Sequence, residues 1–98
     1  MTLPLEYRAE VHDEIVEAYR WHEAQRQGLG EEFLAEVRDQ LDRIQENPEA
    51  HAVLYRKVRA CLIQRFKYVI YYRFLEDSIN VIAVQHGHRN PRAWRRRA

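Results

Sequence analysis

Apolar residues change their spacing several times along this chain, and each change marks an element. Leu3, Leu5 and Tyr7 alternate with Pro4 and Glu6, the period of a strand with one buried face. Pro4 places that strand at a sheet edge or a strand end, because it has no N–H to give to a ladder. From about residue 8 to residue 27, Val11, Ile15, Ala18, Tyr19 and His22 fall at i, i+4, i+7, i+8 and i+11, one stripe of a helix. Glu10, Glu14 and Glu17 lie off that stripe, while Trp21 and His22 close the helix as packing residues. Gly28 can end a helix at positive φ without a Cβ penalty, and Gly28-Leu29-Gly30 makes a tight turn. A second stripe, Phe33, Val37, Leu41 and Ile44 with Leu34 beside it, predicts a helix over about 29–46. Glu31 and Glu32 sit in its first turn, where the helix dipole favours anions, and Pro48 stops it. The short link makes the two helices an antiparallel hairpin.

The remainder reads as strands over about 55–65, 68–75 and 79–86. In the first, Val58, Ala60, Leu62 and Phe66 share one parity, and Lys57, Arg59, Cys61, Ile63 and Arg65 the other. Glu76-Asp77-Ser78 is a polar turn, and short turns pair such strands antiparallel. The order β-α-α-β-β-β predicts an α+β fold, with the helix hairpin on one face of a small sheet. The last two strands are apolar on both parities: Ile70, Tyr72 and Phe74 against Val69, Tyr71 and Leu75, then Val81 and Ala83 against Ile82 and Val84. Two helices cannot cover both faces. The pattern therefore predicts a sheet left bare on one side for a partner.

Length changes this picture little: 98 residues suit one domain, spanning 1–98, with 92–98 a basic and flexible tail. Composition, 46% apolar and 32% charged, is that of a folded soluble chain. No apolar run approaches the roughly 20 residues a bilayer-spanning helix needs, and the first residues lack the basic and apolar regions of a secretory signal. One cysteine, Cys61, excludes an internal disulfide and a cysteine-based zinc cage. A reducing, cytoplasmic setting is expected, with no membrane partner.

Charge changes the picture more. The net +1 conceals a balance of −8 over residues 1–50 and +9 over residues 51–98. Eleven cations crowd the second half, Arg56, Lys57, Arg59, Arg65, Lys67, Arg73, Arg89, Arg92, Arg95, Arg96 and Arg97, among Tyr68, Tyr71, Tyr72 and Trp94. Guanidinium groups bind phosphate and carboxylate in a fork, and aromatic faces stack on bases. RNA, DNA or an acidic protein would suit this half. The alternative is a solvated basic face with a disordered tail. His86-Gly87-His88 supplies two imidazoles, short of the three or four ligands of a zinc site. No metal and no cofactor are expected. Ser78 is the sole serine and sits in a turn, which speaks against a serine triad, and there is no glycine-rich phosphate loop.

Three blocks carry a family likeness: Val58-Arg59; Arg65-Phe66-Lys67-Tyr68-Val69-Ile70-Tyr71-Tyr72-Arg73; and the run from Val81 through His86, Arg89 and Pro91 to Trp94. Together they resemble the RelE/ParE toxin superfamily, most closely the ParE-like branch of type II toxin–antitoxin modules, often called plasmid stabilisation proteins. Lys67 stands where that pattern usually has proline. The resemblance implies a toxin neutralised by a cognate antitoxin whose C-terminal segment wraps it, with DNA gyrase as the expected target. It places Arg89, Arg92, Trp94, Arg95, Arg96 and Arg97 at the effector surface, and Arg59, Tyr71, Arg73, Val81 and Ala83 beneath the antitoxin. RelE-like relatives instead cut mRNA on the ribosome, for which Arg65, His86 and Arg89 would be the acid–base and phosphate-binding set. Against that stand Val69, where those relatives carry an arginine, and the absence of a C-terminal tyrosine. A non-toxic RNA- or protein-binding module is the third reading.

Overall fold

A computed structural model describes residues 2–98. Strand β1 (Leu5–Tyr7) leads into the helices α1 (Ala9–Gln25) and α2 (Leu29–Glu46). Strands β2 (Val53–Tyr55), β3 (Val58–Ile63), β4 (Tyr68–Phe74) and β5 (Ile79–His86) follow, and a helical turn, α3 (Arg92–Arg95), comes last. The sheet order is β1-β5-β4-β3-β2. Only β1 runs parallel to its neighbour, with Leu5 opposite Ile79 and Tyr7 opposite Val81. The expected α+β class and helix hairpin are both present, and β1 lies at an edge as Pro4 indicated.

Two departures have local causes. The single strand expected over 55–65 is a hairpin, β2 and β3, with Tyr55 opposite Val58. Its two turn residues, Arg56 and Lys57, both take positive φ (46° and 68°), the backbone of a tight hairpin turn. That turn usually announces itself as Asn-Gly, and here two long cations hide it. The second departure is in β5. Tyr71 pairs with Ala83 and Tyr72 with Val81, so Ile82 is an extra residue in the ladder. The bulge breaks strict alternation: Val81 and Val84 face the helices, whereas Ile82 and Ala83 face away.

The principal core lies between the helices and the sheet. Val11, Ala18, Phe33, Val37 and Ile44 pack on Cys61, Ile63, Ile70, Tyr72, Val81 and Val84. Each buried Phe or Ile there contributes about 1.5–3 kcal/mol relative to exposure. His22 is buried with its ring stacked on Phe33 at 4.8 Å, and its Nδ1–H donates to the Ala18 carbonyl at 2.6 Å. Trp21, expected to pack, is instead 59% exposed. The helix hairpin closes through Glu23, whose carboxylate accepts the N–H groups of Gly28 and Gly30, each at 2.9 Å. Gly28 takes φ +89°, and a Cβ on Gly30 would lie 2.8 Å from Tyr19.

The other sheet face is not bare. Residues 92–98, expected as a flexible tail, fold back across it. Trp94 stacks on Tyr71 with ring centroids 4.3 Å apart and 15° between planes. Val58, Val69, Ile82 and Ala83 complete this second, smaller core. What stays open is the outer strip, where Leu54 and Leu62 are 58% and 47% exposed. The expectation of an uncovered face therefore holds for the β2–β3 side alone, because the chain's own C-terminus seals the rest.

Candidate functional site

The tail is held by an unusual use of one carboxylate. β1 ends at Tyr7, so β5 beyond Val81 has a free edge on that side. Glu14 of α1 reaches this edge and accepts the Val84 N–H at 3.1 Å. Arg97 donates to the Ile82 carbonyl at 3.1 Å and forks onto both Glu14 oxygens at 3.0 Å. The two side chains are only 9% and 13% exposed. Gln85 Nε2 adds a bond to Glu14 at 2.7 Å, and Arg8 donates to the Arg97 carbonyl at 2.9 Å. Two side chains thus satisfy backbone groups that a longer β1 would have taken.

This arrangement divides the six residues expected at the effector surface. Trp94 is buried, 4% exposed, and Arg97 is consumed by Glu14. Arg92, Arg95 and Arg96 are exposed, and the Arg89 side chain is half exposed. Arg95 lies over the rings of Tyr55 and Trp94, 5.1 and 5.5 Å from their centroids, while Arg56 covers Tyr55 from the β2–β3 turn at 5.2 Å. Stacking of this kind fixes the cations in place without neutralising them. A ridge of exposed guanidinium groups results along α3.

The three residues of the nuclease expectation are not gathered. His86 and Arg89 share a cleft with Glu14, Glu17, Trp21, Tyr68 and Gln85. Arg65 is turned toward α2, where it pairs with Glu32 and covers the Phe66 ring at 4.9 Å. Hydrogen bonds from Arg65, and then from Arg26, hold the Glu32 carboxyl below its ordinary pKa. In the cleft, His86 Nδ1 accepts the His88 N–H at 3.1 Å, which leaves the proton of neutral His86 on Nε2. The His86 ring meets Tyr68 edge-on at 5.4 Å.

The residues expected beneath an antitoxin are also dispersed. Arg59 donates to the carbonyls of His51 at 2.7 Å and Glu49 at 3.3 Å, tying β3 to the loop after α2. Tyr71 lies under Trp94, and Val81 and Ala83 are fully buried. Arg73 is partly buried, with a buried Nε that lacks a partner. The exposed groove beside them is lined by Leu54, Ala60, Leu62, Lys67, Val69 and His88. Sequence reading passed over Glu14 and Gln85. The available signal was an acid on α1 at the border of its apolar stripe, facing a glutamine inside an otherwise apolar strand.

No group of three or more metal-ligating side chains is assembled among the described residues. Cys61 is buried, its thiol pushed up by that burial, and Sγ–H donates to Gln40 at 3.3 Å.

Comparison with known proteins places this geometry among relatives. The family model described as "ParE toxin of type II toxin-antitoxin system, parDE" matches residues 5–91. Toxin ParE2 of Mycobacterium tuberculosis, in the CDC 1551 / Oshkosh and H37Rv strains alike, is 30% identical over 94 residues, which is 95% of this chain and 90% of the relative. A chain of the chromosomal ParDE TA system from P. aeruginosa has the same fold, with a TM-score of 0.76 at 11% identity over 87% of this chain and 96% of that one.

Proposed function

The chain belongs to the ParE toxin family of type II toxin–antitoxin systems, and from that premise we propose that it acts by binding DNA gyrase, not by cutting RNA, and that a cognate antitoxin neutralises it. One observation carries the choice against RNA cleavage. His86 and Arg89 share their cleft with two carboxylates, Glu14 and Glu17, and Arg65 is engaged elsewhere by Glu32. A scissile phosphate needs concentrated positive charge to stabilise its transition state. Glu17 would repel it, and the nearest arginine already leans on Glu14 at 3.8 Å.

A binding role suits the rest of the molecule. Within the ridge formed by Arg92, Arg95 and Arg96, Arg95 is held over Tyr55 and Trp94, and the helical turn that carries all three is anchored by buried Trp94, so its backbone meets an anionic surface already ordered. The open strip of Leu54 and Leu62, with Lys67 in the same groove and the turn cations Arg56 and Lys57 just beyond Leu54 in the chain, supports a separate seat for the antitoxin. An acidic amphipathic segment would bury the leucines and pair with the cations. No helix of the described residues is long and apolar enough to cross a membrane.

Two assays on the chain freed from its antitoxin test this. Inhibition of gyrase supercoiling, weakened by replacing Arg92, Arg95 and Arg96 with alanine, is the expected result. Ribosome-dependent mRNA cleavage that disappears in His86→Ala or Arg89→Ala would overturn it. Restored supercoiling on adding a peptide from the antitoxin's C-terminal half, weakened by Leu62→Asp, is the expected sign of neutralisation at the open strip.

A further inference from the structure

Glu14, Glu17 and Trp21 follow at i, i+3 and i+7 on α1, along one face of the helix. That face is one wall of the cleft that also contains Tyr68, Gln85 and His86. The duties of these groups differ. Both oxygens of Glu14 are occupied by Arg97, with Gln85 and the Val84 N–H as further donors. Glu17 has no ion-pair or hydrogen-bond partner among the described residues, yet it is near enough to Tyr68 to reinforce the upward pKa shift that burial gives that phenol. Among the described residues, Trp21 is the most exposed of the large hydrophobics. Gln85 is 2% exposed; its Nε2 is spent on Glu14, and its buried Oε1 has no donor among the described residues.

The unspent groups of this cleft include one charged acceptor, the Glu17 carboxylate, with the Gln85 Oε1 and the ring faces of Trp21 and Tyr68, beside neutral donors in the Tyr68 hydroxyl and His86 Nε2–H. Its own cation, Arg89, is directed to Glu14. An anion entering here would face Glu17. A purely apolar plug would strip water from Glu17 and give Gln85 nothing in return. A planar cation suits Glu17 and Trp21 together, because a guanidinium stacks on indole and forks onto a carboxylate in one pose. We propose that this cleft receives an arginine side chain of a protein partner, stacked on Trp21 and paired with Glu17. The pocket goes beyond the basic ridge: it gives the toxin a contact of opposite sign on the same end of the molecule, which fixes the register of a partner more than it adds affinity.

The test titrates the full chain with N-acetyl-arginine amide, followed by NMR on the Trp21 indole N–H and the Gln85 side-chain amide. Saturable shifts at both are expected. N-acetyl-citrulline amide, the same shape without charge, should shift neither. Glu17→Gln and Trp21→Ala should each weaken binding by about two- to fivefold, with the Trp94 indole resonance unmoved as a check on folding. Equal binding of the citrulline probe, no shift with the arginine probe, or tighter binding of inorganic phosphate at the same resonances would each overturn the proposal.

Discussion

Glu14 and Arg97 stand eighty-three residues apart and meet as a nearly buried, two-pronged ion pair that also caps the free edge of β5. The pair replaces missing strand, and in doing so it fastens the C-terminus over the second sheet face. Removing Arg97 leaves Glu14 a nearly buried carboxylate with neutral donors, Gln85 and the Val84 N–H, and only Arg89 at 3.8 Å as counter-charge; breaking a buried pair in this way costs about 3–5 kcal/mol. Arg97→Met is therefore expected to destabilise the fold by about 3 kcal/mol and to loosen α3. Urea unfolding and a red shift of Trp94 emission measure the two effects. The double variant E14M/R97M should recover part of the loss, since no buried carboxylate is then left without its forked arginine. If Arg97→Met melts like the parent chain, the clamp has no structural role, and Arg97 returns to the set of surface cations.

The same contact separates positioning from binding. Arg92→Ala and Arg96→Ala remove exposed cations and should leave stability within about 0.5 kcal/mol. Each is expected to weaken target binding a few-fold, with a reduced salt dependence, because rim charges act mainly through the association rate. Arg97→Met should weaken binding too, but together with stability. Binding isotherms at two salt concentrations, set beside melting curves, distinguish the two classes.

Much of this was legible beforehand, and the exceptions share a cause. Both helices and the strands β4 and β5 are long enough for their periodicity to speak, and they lie where the pattern put them. β2 is three residues long and its turn is built from Arg56 and Lys57, so neither length nor turn chemistry betrayed it. Ile82 looks like any strand residue, yet it is the bulge that sends Val81 and Ala83 to opposite faces. The covered second face was missed for a different reason. Arg92, Arg95, Arg96 and Arg97 read as a solvated tail because the partners that hold it, Glu14 and Tyr71, are distant in sequence. The cleft was half legible: His86 and Arg89 stood out by chemistry, whereas Glu17 and Trp21 became part of it only through packing of α1 on β5.

Gly30 tests the closeness of the helix hairpin. Its hypothetical Cβ would sit 2.8 Å from both the Tyr19 ring and the Tyr19 carbonyl. The carbonyl cannot swing aside as a side chain can. Gly30→Ala is expected to cost about 1–3 kcal/mol through forced separation of α1 and α2. Gly28→Ala meets no neighbour but must hold φ +89°, and a loss of about 1 kcal/mol is expected. Gly28→Asn should be milder, because asparagine tolerates the left-handed region. Thermal melts of the three variants should rank in that order; a Gly30→Ala protein as stable as its parent would mean that the hairpin is looser than these distances.

Tyr72 sets the alkaline limit of the fold. It is fully buried in the principal core, and its hydroxyl donates to the Pro48 carbonyl at 2.8 Å, tying β4 to the end of α2. Burial disfavours the phenolate and pushes the pKa up to about 12, only partly opposed by Arg59. In the unfolded chain the phenol titrates near 10. Between these values the unfolded state releases a proton that the folded state keeps, so stability must fall as pH rises. Below pH 10 the contribution is complete, and above pH 12 it is gone. Tyr72→Phe removes both the hydrogen bond and the titration. It is expected to be less stable at neutral pH by about 1 kcal/mol, with the difference shrinking above pH 10 and reversing toward pH 12, because two pKa units correspond to about 2.7 kcal/mol. Denaturant midpoints of the two proteins at pH 7, 9, 10, 11 and 12 decide the matter: parallel decline of both across the alkaline range would assign the loss to the other tyrosines, Tyr68 and Tyr71, whose phenols burial also raises.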